Sequence, residues 1–158
     1  MEWADAVQQV IIACNRQGVR MLMVGGGAVN WHGYKRHSAD VDFWIELTNE
    51  NLLRLASALS SAGYEITDFP QAVREGMQNI SIKLSPVDLD LEFITRFSLD
   101  QDFQSAYERS IMVQGPGAPD HTWRVLQYED LITSKIKAGR PKDLLDIQEL
   151  ARLKGKGA

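Results

Sequence analysis

Asp40-Val41-Asp42 places two carboxylates two residues apart inside a run, Asp40 to Glu46, that alternates strictly. In an extended chain such positions share a face with roughly 7 Å between their Cα atoms, and carboxylates that close repel unless a cation sits between them. Hard divalent ions such as Mg²⁺ take oxygen donors of this kind. Two such ions about 3.5–4 Å apart stabilise the attacking and leaving oxygens of phosphoryl transfer. A second acidic face follows later, where Asp88, Asp90 and Glu92 alternate with Val87, Leu89, Leu91 and Phe93. If the two strands are neighbours, one of these three carboxylates completes a metal site. The competing account of both faces is the solvated outer side of a sheet. An EF-hand loop does not fit, because Phe43 and Trp44 stand where such a loop needs polar ligands and flexible backbone.

Gly25-Gly26-Gly27 follows the short apolar run Val19 to Val24. It lacks the last glycine of a dinucleotide fingerprint, and no Gly-Lys-Ser/Thr follows for a P-loop. What it does supply is a strand, a glycine turn and a helix whose unpaired N–H groups can cradle phosphate, or simply a turn that needs positive φ or close packing. Arg36, between this turn and the acidic strand, is within reach of a triphosphate or of solvent. His32 and His37 have no cysteine partner for a zinc site, and packing or capping after the short helix suits His32 better. Trp31, Trp44 and Trp123 can stack on a base or fill the core.

The elements that hold these residues are readable from periodicity. Helices are predicted over 2–17, 28–32, 49–62 (capped by Thr48 and ended by Gly63), 101–109, 128–138 and 141–153, the last beginning at Pro141. Strands are predicted over 19–24, 40–46, 79–84, 87–95 and 122–126, with 64–69 extended and a loop from Gly115 to Pro119. Trp44 alternates onto the face that carries Asp40 and Asp42, opposite Val41, Phe43 and Ile45. The two strands joined at Ser85-Pro86 form a hairpin with one acidic face. This is an α/β (α+β) pattern: a mixed sheet flanked by helices.

A chain of 158 residues with 44% hydrophobic and 24% charged residues reads as one globular domain, 1–158. The single cysteine, Cys14, excludes an intrachain disulfide framework and a Cys-rich zinc site, and points to the cytoplasm. The longest N-terminal apolar run, Val10 to Cys14, is too short for a signal-peptide core or a membrane span. The net charge of −4 argues against a uniformly basic nucleic-acid binder, yet it averages two unlike regions. From Lys135 to Ala158 there are seven Lys/Arg against three Asp/Glu, while residues 1–134 carry ten against eighteen. A cationic tail of this kind can lie over a triphosphate or an RNA acceptor.

The run Val24 to Phe43, VGGGAVNWHGYKRHSADVDF, resembles the nucleotidyltransferase superfamily of the DNA polymerase β type: a hydrophobic residue with Gly-Gly or Gly-Ser, a spacer, then Asp-hydrophobic-Asp. Thirteen residues separate Gly26 from Asp40. Gly25-Gly26, Ala28-Val29, His32-Gly33, Arg36, Ser38 and Asp40-Val41-Asp42 are similar to the branch that holds AbiEii-type toxins. So is the tail, with Asp130-Leu131, Lys135, Gly139-Arg140-Pro141-Lys142-Asp143 and Asp146. The resemblance implies that Asp40 and Asp42 bind catalytic Mg²⁺ or Mn²⁺, and that Gly25 and Gly26 hold the triphosphate. It also implies a third carboxylate on the later strand, for which Asp90 is chosen and Glu92 is second. Gly26 stands where many relatives carry serine, so binding there relies on backbone N–H groups, whereas Ser38 keeps the hydroxyl of a common threonine. Arg36, Ser38 and Lys135 complete the expected nucleotide site. Lys142 can instead pair with Asp146 one turn on, for about 0.3–0.5 kcal/mol.

The expected reaction is transfer of a nucleoside monophosphate from an NTP to an acceptor hydroxyl, on tRNA, a protein or a small molecule, in a protein with a cognate antitoxin and no membrane partner. One rival is a catalytically silent nucleotide-binding or antitoxin-like interaction module, against which the intact carboxylates count. The other is a glycosyltransferase holding its nucleotide-sugar metal on Asp40-Val41-Asp42, for which so short a chain leaves little room.

Overall fold

The computed structural model describes residues 5–35, 40–84, 89–99 and 101–156; the side chains of Asp40, Leu84, Leu89 and Lys156 lie outside that description. Two acidic strands stand side by side within its sheet. β2 (Asp40–Ile45) pairs in parallel with β4 (Leu89–Ile94), so that Asp40 stands opposite Asp90 and Asp42 opposite Glu92. On one side of this pair β3 (Ile80–Leu84) runs antiparallel to β4. On the other, β1 (Met21–Val24) runs antiparallel to β2, then parallel to β6 (Thr122–Val125), which pairs antiparallel with β5 (Ile111–Gln114) at the far edge. The order of this mixed sheet is β3-β4-β2-β1-β6-β5, flanked by helices as the α/β reading expects.

Alternation explains which face is wet. Val41, Phe43, Ile45, Leu91, Phe93, Ile80 and Ile82 are buried together, with the Phe43 and Phe93 rings stacked at 6.3 Å. Asp42, Asp90, Glu92, Ser81 and Lys83 sit on the other side, partly or fully exposed. Trp44 departs from that scheme. It lies on the acidic side but is only 7% exposed, with Phe97 at 5.3 Å and Phe103 at 5.2 Å from its ring. Aromatic packing therefore closes one end of the acidic face, and the indole is core rather than a base platform. Trp123 is buried as well.

Helix α1 (Asp5–Gln17) buries Val7, Val10, Ile11, Ala13 and Cys14 at helical spacing. Burial pushes the Cys14 thiol up to about 12, which leaves it an inert core residue. Helix α3 (Asn49–Ser61) starts where Thr48 Oγ1 accepts the Asn51 N–H at 3.1 Å. The buried Asn51 amide then ties three segments together: it donates to the carbonyls of Arg20 (3.0 Å) and Glu46 (2.8 Å) and accepts the Arg20 N–H (2.8 Å).

One local expectation needs correction, and two elements lie beyond the sequence pattern. The glycines do not form a turn ahead of a helix at Ala28; helix α2 (Gly25–Trp31) begins at Gly25 itself, which provides the positive φ of +58° at the junction. Residues 64–69 lie outside the sheet and lead to the short helix α4 (Gln71–Arg74), which the sequence pattern does not show. Strand β5 went unread because its residues 111–113 are consecutive apolar residues without alternation, and an edge pairing with β6 decides their state. The remaining helices, α5 (Phe103–Arg109), α6 (Tyr128–Ala138) and α7 (Pro141–Lys156), fall where periodicity placed them. Among the described residues no helix is long and apolar enough to cross a membrane.

Candidate active site

Val24, the last residue of β1, is paired with Asp42, so the chain enters α2 directly beside the acidic strand. Gly25 is fixed there by more than its positive φ. A Cβ on it would stand 2.6 Å from Asp42 Oδ2, closer than any real side chain tolerates. The Gly25 backbone and the Asp42 carboxylate thus share one small volume. Gly26 is buried in the first turn of α2. His32 closes that helix, with Nε2 donating to the Leu126 carbonyl at 2.8 Å and its ring edge-on to Trp31 and Tyr128. Desolvation lowers its pKa, so it stays neutral at physiological pH and serves as a packed cap.

A cleft of about 380 Å³ opens over this junction, bordered by Gly25, Asp42, Asn79, Glu92, Lys135, Arg140 and Asp143 among others. Its volume is in the range of small-ligand sites. Asp42 and Glu92, opposite each other in the parallel register, form its acidic side. Asn79 reaches Glu92 Oε1 at 3.4 Å through its amide, while its Oδ1 accepts the Thr95 N–H at 3.0 Å. Asp90 stands one row further along, between Asp40 and Lys83 in the three-strand register.

The opposite wall is made by the α6–α7 junction. Lys135 is 5% exposed, and its ammonium lies 3.1 Å from Asp143 and 3.0 Å from Asp146. Gly139, at φ +64°, ends α6 in the left-handed conformation and passes the chain to Arg140 and then Pro141 at the start of α7. Asp143 accepts from Arg140 Nε at 2.6 Å, from its Nη2 at 3.2 Å and from its backbone N–H at 3.1 Å. Burial raises the Asp143 pKa, but hydrogen bonds from Arg140 and Lys135, with the Lys135 charge, outweigh it and hold the carboxyl at about 2. In the first turn of α6, Asp130 is gripped by Arg109 from the end of α5 through contacts of 2.8–3.0 Å.

Of the residues singled out by sequence, Gly25, Asp42, Glu92 and Lys135 meet at this cleft. Asp40 and Asp90 occupy the adjoining register row. Arg36, Ser38, His37 and Asp88 lie outside the described residues. The sequence motifs give Asp143 no role of its own, although its place three residues after Arg140 marks it as the acceptor for a helix start. An all-carboxylate donor set on one sheet face fits a hard divalent cation. Among the described residues, no three His, Cys, Asp or Glu side chains already form a metal cluster, and the Asp40 side chain is not among those described.

A strand–glycine–helix junction beside paired acidic strands is an arrangement of the nucleotidyl transferase class. The family described as nucleotidyl transferase AbiEii toxin, type IV TA (toxin–antitoxin) system, matches residues 10–158, and the chain belongs to it. No curated protein matches the sequence.

Proposed function

We propose that the protein is a metal-dependent nucleotidyltransferase that transfers a nucleoside monophosphate from an NTP to an acceptor hydroxyl and releases pyrophosphate. The observation that carries this reading is the parallel register of β2 and β4. It sets Asp40 in register with Asp90 and Asp42 with Glu92, with the Asp42, Asp90 and Glu92 side chains on the face away from the core and the Gly25 backbone pressed against Asp42. Four like charges in two adjoining rows cost stability and are kept where cations are to be held.

Asp40, Asp42 and Asp90 hold Mg²⁺ or Mn²⁺, with Glu92 the competing third carboxylate. Divalent ions, when bound, supply Lewis-acid polarisation of the reacting phosphoryl oxygens. Gly25 and Gly26 offer backbone N–H groups to the triphosphate, and Arg36 and Ser38 join them on the strength of the family resemblance. Lys135 fixes the wall of the cleft through its two carboxylate partners. The acceptor oxygen forms a bond to the α-phosphorus as the bond to the bridging oxygen breaks; the acceptor proton passes to the third carboxylate and the electron pair leaves with pyrophosphate. The acceptor is tRNA, a protein or a small molecule, the setting is the cytoplasm, and a cognate antitoxin restrains the activity.

Incubation with each α-labelled NTP, Mg²⁺ and a cell extract tests the reading. Label should enter one macromolecular or small-molecule fraction, and Asp42→Asn should abolish the transfer. An unlabelled extract, or equal labelling by Asp42→Asn, removes the enzymatic reading.

A further inference from the structure

Three cationic side chains border the cleft, and each is held differently. Lys135 is enclosed, its ammonium spent on Asp143 and Asp146. Arg96 is turned to the carbonyl of Glu75, 3.1 Å from its Nη2, and its Nε lies against Gly76. Arg140 is fixed yet open. Asp143 takes the Nε and Nη2 edge of its guanidinium, while the side chain remains 57% exposed. A guanidinium carries five N–H donors in a planar fork, so the edge formed by Nη1 and the second Nη2 hydrogen has no partner among the described residues. Anchoring on one edge removes most of the rotamer entropy that a free arginine would lose on binding an anion. Asp42 is near enough to add to the charges that keep this guanidinium protonated, after the Asp143 hydrogen bond and against the opposing effect of burial.

We propose that Arg140, positioned by Asp143, binds the phosphates of the nucleotide beyond the one transferred, and that Lys135 contributes only the wall on which Arg140 stands. The proposal rests on the nucleotidyltransferase reading and deepens it. The carboxylates claim the α-phosphate as the reacting centre, so a fork on the opposite wall is left to the pyrophosphate portion, where negative charge grows as the bond breaks.

Calorimetric titration separates the two ideas without an acceptor. The probes are inorganic tripolyphosphate and each NTP with its matching NMP, all with Mg²⁺. Arg140→Met should weaken tripolyphosphate and NTP binding by about tenfold or more, as expected for lost charge-assisted hydrogen bonds, and NMP binding by less than about twofold. Arg140→Lys should fall between, since it keeps the charge and loses the fork. Asp143→Asn should lower the NTP-to-NMP affinity ratio in the same direction; should it fail to fold, the Arg140 variants decide alone, because that side chain is largely exposed. Unchanged triphosphate affinity in Arg140→Met, an equal loss for NTP and NMP, or a larger loss in Arg96→Met overturns the proposal and leaves the nucleotidyltransferase reading standing. A wild-type protein that binds no NTP overturns both.

Discussion

The acidic strands and the cationic C-terminal helices border one cleft, yet they treat charge in opposite ways. On β2 and β4 like charges are placed side by side, Asp40 against Asp90 and Asp42 against Glu92. In the α6–α7 hairpin, cations are matched: Lys135 with Asp143 and Asp146, Arg140 with Asp143, Arg152 with Glu149, and Lys154 with Glu129. Four of the seven cations of the tail are therefore held by carboxylates of the helices, so these four serve as scaffold more than as a free basic lid. Paired charge in the helices contributes to stability, while like charges side by side on the strands detract from it, a cost that the proposed chemistry would explain.

That contrast can be broken at several points. Lys135→Met removes the ammonium that buried Asp143 and Asp146 share, and should cost about 3–5 kcal/mol, read from chemical denaturation. Gly25→Ala forces a Cβ to 2.6 Å from Asp42 Oδ2 at a positive φ and should cost about 1–3 kcal/mol, with transfer activity lost as well. Acid should reach the helices next. The Asp143 carboxyl is depressed to about 2 from an ordinary 3.8, so its contribution is complete above the unfolded value and disappears as pH falls through the folded one. About 2 kcal/mol of stability should be lost between roughly pH 4 and pH 2, and Asp143→Asn should flatten that part of the denaturation profile. Asp90→Asn should act in the opposite sense, with stability in EDTA unchanged or raised by about 0.5–1 kcal/mol as like charges are relieved. A clear loss of stability there would mean that the strand carboxylates are structural. Arg152→Ala, at a half-exposed pair with Glu149, should change stability by less than about 0.5 kcal/mol.

The acidic face was legible because period-2 alternation needs only the sequence: Asp40, Asp42, Asp90 and Glu92 are each flanked by apolar residues. Which strands pair is a long-range matter, and the register of Asp42 with Glu92 could not be read from either segment alone. Trp44 shows where alternation misleads, since a residue on the polar face was buried by Phe97 and Phe103 arriving from beyond β4. The C-terminal helices were placed by periodicity and Pro141, but the partners of Lys135 were not. A count of charges sees seven cations and three anions; only the fold of α7 against α6 directs Asp143 and Asp146 inward. Asn51, an ordinary polar residue in a helix pattern, gives no sign that its amide joins α3 to the residues flanking β1 and β2.

Asp40 and Asp90 are opposite each other across the β2–β4 pair and fifty positions apart in the chain. The acidic face therefore has no local precursor: neither strand carries more than half of it, and a long loop must close before the halves meet. Their approach brings negative charge toward negative charge, so salt or divalent cations should speed this step of folding by screening it. A nascent or partly unfolded chain thus lacks the assembled carboxylate rows, and any activity housed there switches on only when β2 and β4 have paired.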